Sequence, residues 1–345
     1  MGAGCCKSDD VHPQDRSKIA PASDRSKEVT ELTVYDTLMG NQSIIRWKRG
    51  DLVGQGMFGK VYQALNQDTG ELLAVKTYQL NQNHRLAEVE LMNIKRELLI
   101  LKSLDHPNIV KYFQVDFNQE ENSIDLITEY VPSGSMFMLL EKYKGLSESV
   151  IRNYTKQLLE GLFYLHSNEV VHRDLKSANI LVTENSSLKL TDFGCSRRFD
   201  SDSNGQSRSF KGSPYWMAPE MVLKQGHGYA ADIWSLGCLV IEMATGRPPW
   251  SNYSKYSKEV LRLIAQPGNL PDIPKLSPAL TDFINLCLKR EPHKRPSARD
   301  LLAHEFINVA PASKCYDTIR TSTINFSLRE SLALKGSEEE GKKEL

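Results

Sequence analysis

A neutral chain of 345 residues, with 43 acidic and 43 basic side chains, has room for one large or two ordinary domains. It lacks the basic surplus of a nucleic-acid binder, and its longest apolar run, near Trp234–Ala244, is too short to span a bilayer and contains Glu242. Its cysteines (Cys5, Cys6, Cys195, Cys238, Cys287 and Cys315) follow no metal-ligand or disulfide-framework spacing, and no secretory signal follows Met1, so a reducing, cytoplasmic setting is expected.

Residues 1–44 are rich in Ser and Asp and have no sustained apolar period, which predicts a flexible leader. Its start, Met1-Gly2-Ala3-Gly4-Cys5-Cys6, would expose Gly2 for N-myristoylation once Met1 is removed, with Cys6 where the usual pattern has Ser or Thr. One myristoyl chain holds a protein only marginally. Through residue 30, Lys7, Arg16, Lys18, Arg25 and Lys27 are offset by Asp9, Asp10, Asp15, Asp24 and Glu28, so no polybasic patch assists it. Palmitoylation of Cys5 and Cys6 is then the natural second signal, and peripheral attachment to the cytoplasmic face of a membrane is expected.

Structure is expected from about Ile45. Gly54-Gln55-Gly56-Met57-Phe58-Gly59-Lys60-Val61 fits G-x-G-x-x-G-x-V, a pattern shared in part by dinucleotide sites. Context decides between them. The glycines are followed by the alternating Val61–Leu65 and a turn over Asn66–Gly70, so the loop joins two strands rather than opening a helix. Such a loop covers phosphates, and its glycines let the backbone approach their oxygens. The next run, Leu72–Val75, ends at Lys76, placed to pair with α- and β-phosphates. Lys76 needs a carboxylate on the helix predicted over 85–104; Glu97 is the expected partner and Glu90 the alternative.

Ile109–Phe117 and Ser123–Tyr130 read as a strand pair, after which Pro132 and Gly134 break the pattern. Ser147 is placed to cap a long helix with Ile151, Tyr154, Leu158, Leu162 and Leu165 on one stripe. That helix leads to Val170-Val171-His172-Arg173-Asp174-Leu175-Lys176-Ser177-Ala178-Asn179-Ile180-Leu181-Val182. Asp174 can accept a proton from an attacking hydroxyl, Lys176 can neutralise a transferring phosphoryl group, and Asn179 can hold magnesium. Asp192, in Asp192-Phe193-Gly194, is placed as a second magnesium ligand.

The serine-rich stretch before Ala218-Pro219-Glu220 reads as a regulatory activation segment, with Ser209 the expected phosphorylation site and Ser207 the alternative. Arg173 and Arg197, expected to be uncompensated, would meet that phosphate. Ser213 is expected to contact Asp174 and Lys176, and Cys195 to be inert packing. Tyr229–Thr245 is apolar on nearly all sides and so predicts a buried helix, with Asp232 free to bond the catalytic loop and Gly246 ending the helix.

From Gly54 to about Phe306 the chain resembles a eukaryotic protein kinase, with the signature elements in order. The resemblance implies an α+β, bilobal fold: a small β-rich N-lobe with one helix, over 45–131, then a larger helical C-lobe over 132–307, followed by a polar tail over 308–345. It implies ATP and Mg2+ as cofactors. It also implies adenine held by the Glu129 and Val131 backbone between Val53, Val61, Ala74 and Leu181, with Thr128 as gatekeeper. Lys176 after His172-Arg173-Asp174-Leu175 is similar to serine/threonine kinases. The segments around Trp47, Cys195 and Gly212–Glu220 resemble MAP kinase kinase kinases of the MEKK type, which implies a MAP kinase kinase as substrate. A p21-activated or other sterile-type kinase is the alternative. A pseudokinase scaffold would require loss of Lys76, Asp174, Asn179 or Asp192, and all four are intact.

Overall fold

The computed structural model describes residues 45–56, 59–81, 84–198 and 212–308, except the side chains of 84–89. These form two compact units, one of residues 45–102 and 112–130, the other of residues 103–111 and 131–308. Gly2, Cys5, Cys6, Ser207 and Ser209 lie outside the described residues.

The first unit is a five-stranded antiparallel sheet with one helix. Strands β1 (Trp47–Gly56), β2 (Gly59–Asn66), β3 (Leu72–Gln79), β4 (Tyr112–Asn118) and β5 (Ser123–Glu129) lie in the order β1-β2-β3-β5-β4. Helix α1 (His84–Lys102) follows β3. Alternation sets the faces: Ala64, Leu73, Val75 and Ile127 are buried together, with Ile45, Trp47 and Phe113 packed on them. Gly56 pairs with Gly59 where β1 turns into β2. The structure gives these glycines separate reasons. At Gly59, with φ +136°, a Cβ would collide with the Thr77 carbonyl of β3. At Gly56 a Cβ would meet nothing within 4 Å, so only there does open space remain beside the backbone.

The expected strand Ile109–Phe117 is divided in the structure. β4 begins at Tyr112, while Ile109 bridges Leu190 in parallel. Val110 N–H donates to the Leu190 carbonyl at 2.9 Å and Leu190 N–H to the Asn108 carbonyl at 2.8 Å. These bonds place residues 103–111 in the second unit, which corrects the expected boundary.

The second unit is mostly helical. Its long helices are α2 (Met136–Tyr143), α3 (Glu148–Ser167), α5 (Ala230–Thr245), α6 (Ser257–Ala265) and α7 (Pro278–Cys287), with the short α4 (Pro219–Val222), α8 (Ala298–Leu302) and α9 (Glu305–Asn308) between and after them. On α3 the stripe Ile151, Leu158, Leu162 and Leu165 is fully buried, each leucine contributing roughly 1.5–3 kcal/mol. Ser147 sits at the N-cap of α3, but its hydroxyl lies 3.0 Å from the Ser149 hydroxyl and makes no backbone capping bond. α5 is buried from Ala231 to Met243 and ends at Gly246, whose φ of 69° and N–H bond to the Glu242 carbonyl form a left-handed cap. Two short antiparallel pairs complete the unit: β6 (Val170–Val171) with β9 (Arg197–Arg198), and β7 (Ile180–Val182) with β8 (Leu188–Leu190). No helix among the described residues is long and apolar enough to cross a membrane.

Candidate active site

In the first unit, Lys76 stands in the middle of β3 with its Nζ 3.1 Å from Glu97 Oε1. Glu97 is 4% exposed, so it is a buried carboxylate held by an ammonium. Glu90, the alternative, is engaged elsewhere: its Oε2 accepts the Asn81 N–H at 2.9 Å. The Tyr78 ring lies 5.0 Å from Lys76 Nζ, an additional cation–π contact that the sequence did not signal. Val61 is opposite Lys76 across β2–β3, and Ala74 is opposite Thr128 across β3–β5. Thr128 Oγ1 donates to the Ala74 carbonyl at 3.5 Å. Gly54 pairs with Val61, Val53 is half exposed, and Glu129 ends β5.

In the second unit, residues 172–179 lie between β6 and β7, the two short strands that hold them. Asp232 at the start of α5 fixes this stretch from below. Its Oδ2 accepts the His172 N–H at 2.9 Å, and its Oδ1 accepts the Arg173 N–H at 2.8 Å. Burial opposes its ionisation, yet His166, whose Nε2 lies 2.9 Å from Oδ2, with His172 and the Arg173 N–H carry the carboxyl below its ordinary range. His172 in turn braces the turn: its Nδ1 accepts the Asp174 N–H at 3.3 Å and its Nε2 donates to the Thr191 carbonyl at 3.2 Å. Arg173 holds φ 68°, a strained value for a residue with a Cβ. Its Nε donates to the Cys195 carbonyl at 2.5 Å.

Asp174 is 6% exposed. Its Oδ2 accepts from Lys176 Nζ and from Asn179 Nδ2, each at 2.9 Å. Its Oδ1 is buried and has no hydrogen-bond partner among the described residues. A buried carboxylate oxygen left without a donor is costly unless a ligand supplies one. Lys176 Nζ also donates to Ser213 Oγ at 2.6 Å, and so stands between Ser213 and Asp174 Oδ2. Asn179 Nδ2 also donates to the Asp174 backbone carbonyl at 2.8 Å, which leaves the amide oxygen as its donor for a cation. Asp192 is in the left-handed region, φ 62°, just before the turn Phe193–Cys195. The oxygens of Asn179 and Asp192 are hard donors that suit magnesium, which takes one or two protein oxygens and completes its shell with phosphates and water. Val131 is buried, Leu181 lies on β7 bridged to Ser135, and Cys195 is a buried free thiol.

One residue escaped sequence reading. Glu242, on an otherwise apolar helix, is 2% exposed. Its Oε1 accepts the Ser177 hydroxyl at 2.5 Å and its Oε2 the Trp216 indole N–H at 2.9 Å. An acid in an all-round apolar run was the available signal, because buried carboxylates are kept only where donors reach them. Burial pushes its carboxyl from 4.5 up to about 7, against Ser177, Trp216 and Lys176, which pull it down. In the unfolded chain the proton leaves near 4.5; in the folded chain it stays to about 7. Fold stability therefore declines as pH rises between these values, by roughly 3 kcal/mol, and this contribution is level above. Glu242→Gln, which cannot ionise, should flatten that part of the curve. Urea denaturation at pH 5 and pH 8 checks it; an unchanged difference between the two would refute the burial argument.

The chain matches the family described as Protein kinase domain over residues 47–307. It is 45% identical over 277 residues to mitogen-activated protein kinase kinase kinase A of Dictyostelium discoideum, covering 79% of this chain and 29% of that protein. Identity is 43% over 267 residues to mitogen-activated protein kinase kinase kinase 2 of Arabidopsis thaliana, 76% of this chain and 41% of the relative. To human mitogen-activated protein kinase kinase kinase 3 it is 42% over 265 residues, 76% and 42% of the two chains. The chain thus spans less than half the length of these curated relatives.

Proposed function

This chain belongs to the protein kinase family, and on that premise we infer that it transfers the γ-phosphate of ATP to serine or threonine in a protein, a MAP kinase kinase being the substrate. The carrying observation is Asp174, whose buried Oδ1 has no hydrogen-bond partner among the described residues while Lys176 and Asn179 hold Oδ2. That oxygen is the natural acceptor for a hydroxyl proton. Lys176 neutralises charge on the phosphoryl group, and Lys76, held by Glu97, pairs with the nucleotide phosphates. Protein kinases use ATP with a divalent metal, and magnesium, when bound by Asn179 and Asp192, neutralises charge on the phosphate oxygens. Similarity to three MAP kinase kinase kinases supports the substrate class. The test is the purified chain with ATP and magnesium against a panel of MAP kinase kinases, beside substrates of p21-activated and other sterile-type kinases, with phosphosites mapped on both partners. Serine or threonine on a MAP kinase kinase is the expected acceptor. Tyrosine transfer, or preference for the other substrates, would overturn the reading. The same mapping tests Ser209, with Ser207 as alternative, as the regulatory site; its support is the position between Asp192-Phe193-Gly194 and Ala218-Pro219-Glu220.

Thr128 is part of this reading. A small side chain there leaves room for bulky aryl groups beside adenine. Thr128→Met should abolish inhibition by large hydrophobic ATP competitors and leave the KM for ATP nearly unchanged. Indifference of those inhibitors to the substitution would remove Thr128 from the nucleotide site.

For location, the reading is cytoplasmic, with acylation of Gly2 and of Cys5 and Cys6 tethering the chain to a membrane; its support is the sequence pattern alone. In cell fractionation, Gly2→Ala should be fully soluble and a Cys5/Cys6 double serine variant mostly soluble. Equal distribution of both variants and the wild type would defeat the tether.

A further inference from the structure

Tyr78 lies two residues after Lys76 on β3, and the period of a strand puts both side chains on one face of the sheet. Glu97 of α1 reaches the same face, its Oε1 3.1 Å from Lys76 Nζ. The Tyr78 ring stands 5.0 Å from that ammonium, so the cation has a carboxylate and an aromatic ring as neighbours. Tyr78 is 7% exposed, yet its hydroxyl has no hydrogen-bond partner among the described residues. A buried tyrosine hydroxyl ordinarily finds one, because burying it alone is costly. Phenylalanine would fill the same space without that penalty. Burial first, and the charge of Glu97 second, hold the ionisation of Tyr78 well above the usual tyrosine range, against the pull of Lys76. The group is therefore a neutral O–H at working pH, with a proton to donate and both charges of the pair acting on it.

Two anions compete for Lys76. In the structure it neutralises Glu97, which is 4% exposed; in phosphoryl transfer it must also pair with the nucleotide phosphates. Drawing the ammonium toward phosphate lessens what it gives to Glu97, and a carboxylate at that depth has little water to turn to. The Tyr78 hydroxyl is a donor on the same face that can take up the charge. We propose that Tyr78 is a positioning residue for phosphate binding: its hydroxyl donates to the Glu97 carboxylate when Lys76 engages the phosphates, so that one ammonium can serve both anions. This rests on the protein-kinase reading above. Tyr78 acts on the phosphates only through Glu97 and Lys76. A bond made only in the phosphate-bound arrangement adds its whole worth to phosphate affinity, because nothing is lost from the other arrangement.

Tyr78→Phe tests this with little disturbance, since it keeps the ring and removes only the hydroxyl. Calorimetric titration with ATP, ADP and adenosine, each with magnesium present, reads binding without any transfer. The Kd for ATP and for ADP should rise about 10- to 100-fold, the factor for one lost hydrogen bond to a charged acceptor. The Kd for adenosine, which has no phosphate to draw on Lys76, should change by less than about twofold. The melting temperature without added ligand should hold or rise, because the deleted hydroxyl has no partner among the described residues to lose. On a Lys76→Met background the same substitution should change the Kd for ATP by less than about twofold. Unchanged affinity for ATP and ADP overturns the proposal, and so does a further loss on the Lys76→Met background as large as that in the wild type. An equal loss for adenosine, which marks a general distortion of the pocket, or a lowered melting temperature, which marks an ordinary structural hydroxyl, also overturns it. A wild type that binds neither ATP nor adenosine would instead sink the kinase reading on which it rests.

Discussion

Asp174→Asn should lower kcat for phosphate transfer by about 10²–10⁴-fold, roughly 3–5.5 kcal/mol of barrier. The substitution is isosteric, and Asn can still accept at one atom from Lys176 or from Asn179. It cannot take a proton at the position of Oδ1, the buried oxygen that has no hydrogen-bond partner among the described residues. The loss should fall on kcat with the KM for ATP little changed, because Asp174 acts on the acceptor hydroxyl rather than the nucleotide. The melting temperature should hold or rise, since a neutral amide relieves a buried charge whose second oxygen has no donor. Single-turnover kinetics with saturating ATP checks this, and a rate near that of the wild type would remove Asp174 from the chemistry.

Asp232→Asn should destabilise the fold by about 3–5 kcal/mol, the range for breaking a buried charged pair, and should abolish activity with it. Asp232 is fully buried, and its two oxygens accept from His172 N–H, Arg173 N–H and His166. An amide replaces one acceptor by a donor, so at least one of these N–H groups is left facing an N–H in the interior. The loop that suffers is 172–174, where Arg173 already holds a positive φ that needs external support. Urea denaturation should show a lower midpoint with unchanged slope, the mark of lost stability without a changed unfolded state. A midpoint shift worth less than about 1 kcal/mol would show that the loop is held by other bonds.

The catalytic strings were legible because the chemistry demands particular atoms at short spacing. Asp174, Lys176 and Asn179 come from one loop, and the strands that hold it were visible as the apolar pairs on either side. Asp232 and the buried α5 were legible for a related reason: all-round apolarity marks a central helix, and a lone acid near its start is kept for donors outside the helix, here the backbone of the catalytic loop. Glu97 against Glu90 was open, since both fit a helix opposite Lys76; the register of α1 against β3 decides, and that is a tertiary fact. Ile109 was misread because its apolar run continues smoothly into β4, whereas pairing with Leu190 divides the run between two units. Glu242 was missed as a site residue because its meaning depends on Ser177 and Trp216, each far from it in sequence. Local pattern predicts elements; it does not predict which distant donors will meet a buried acid.

The most direct measurement is transfer of radiolabelled γ-phosphate from ATP to a catalytically dead MAP kinase kinase by the purified chain, followed by phosphoamino-acid analysis, with Asp174→Asn in parallel. The expected result is label on serine or threonine from the wild type and at least about 100-fold less from the variant. Label on tyrosine, no label, or equal label from both proteins would contradict the account.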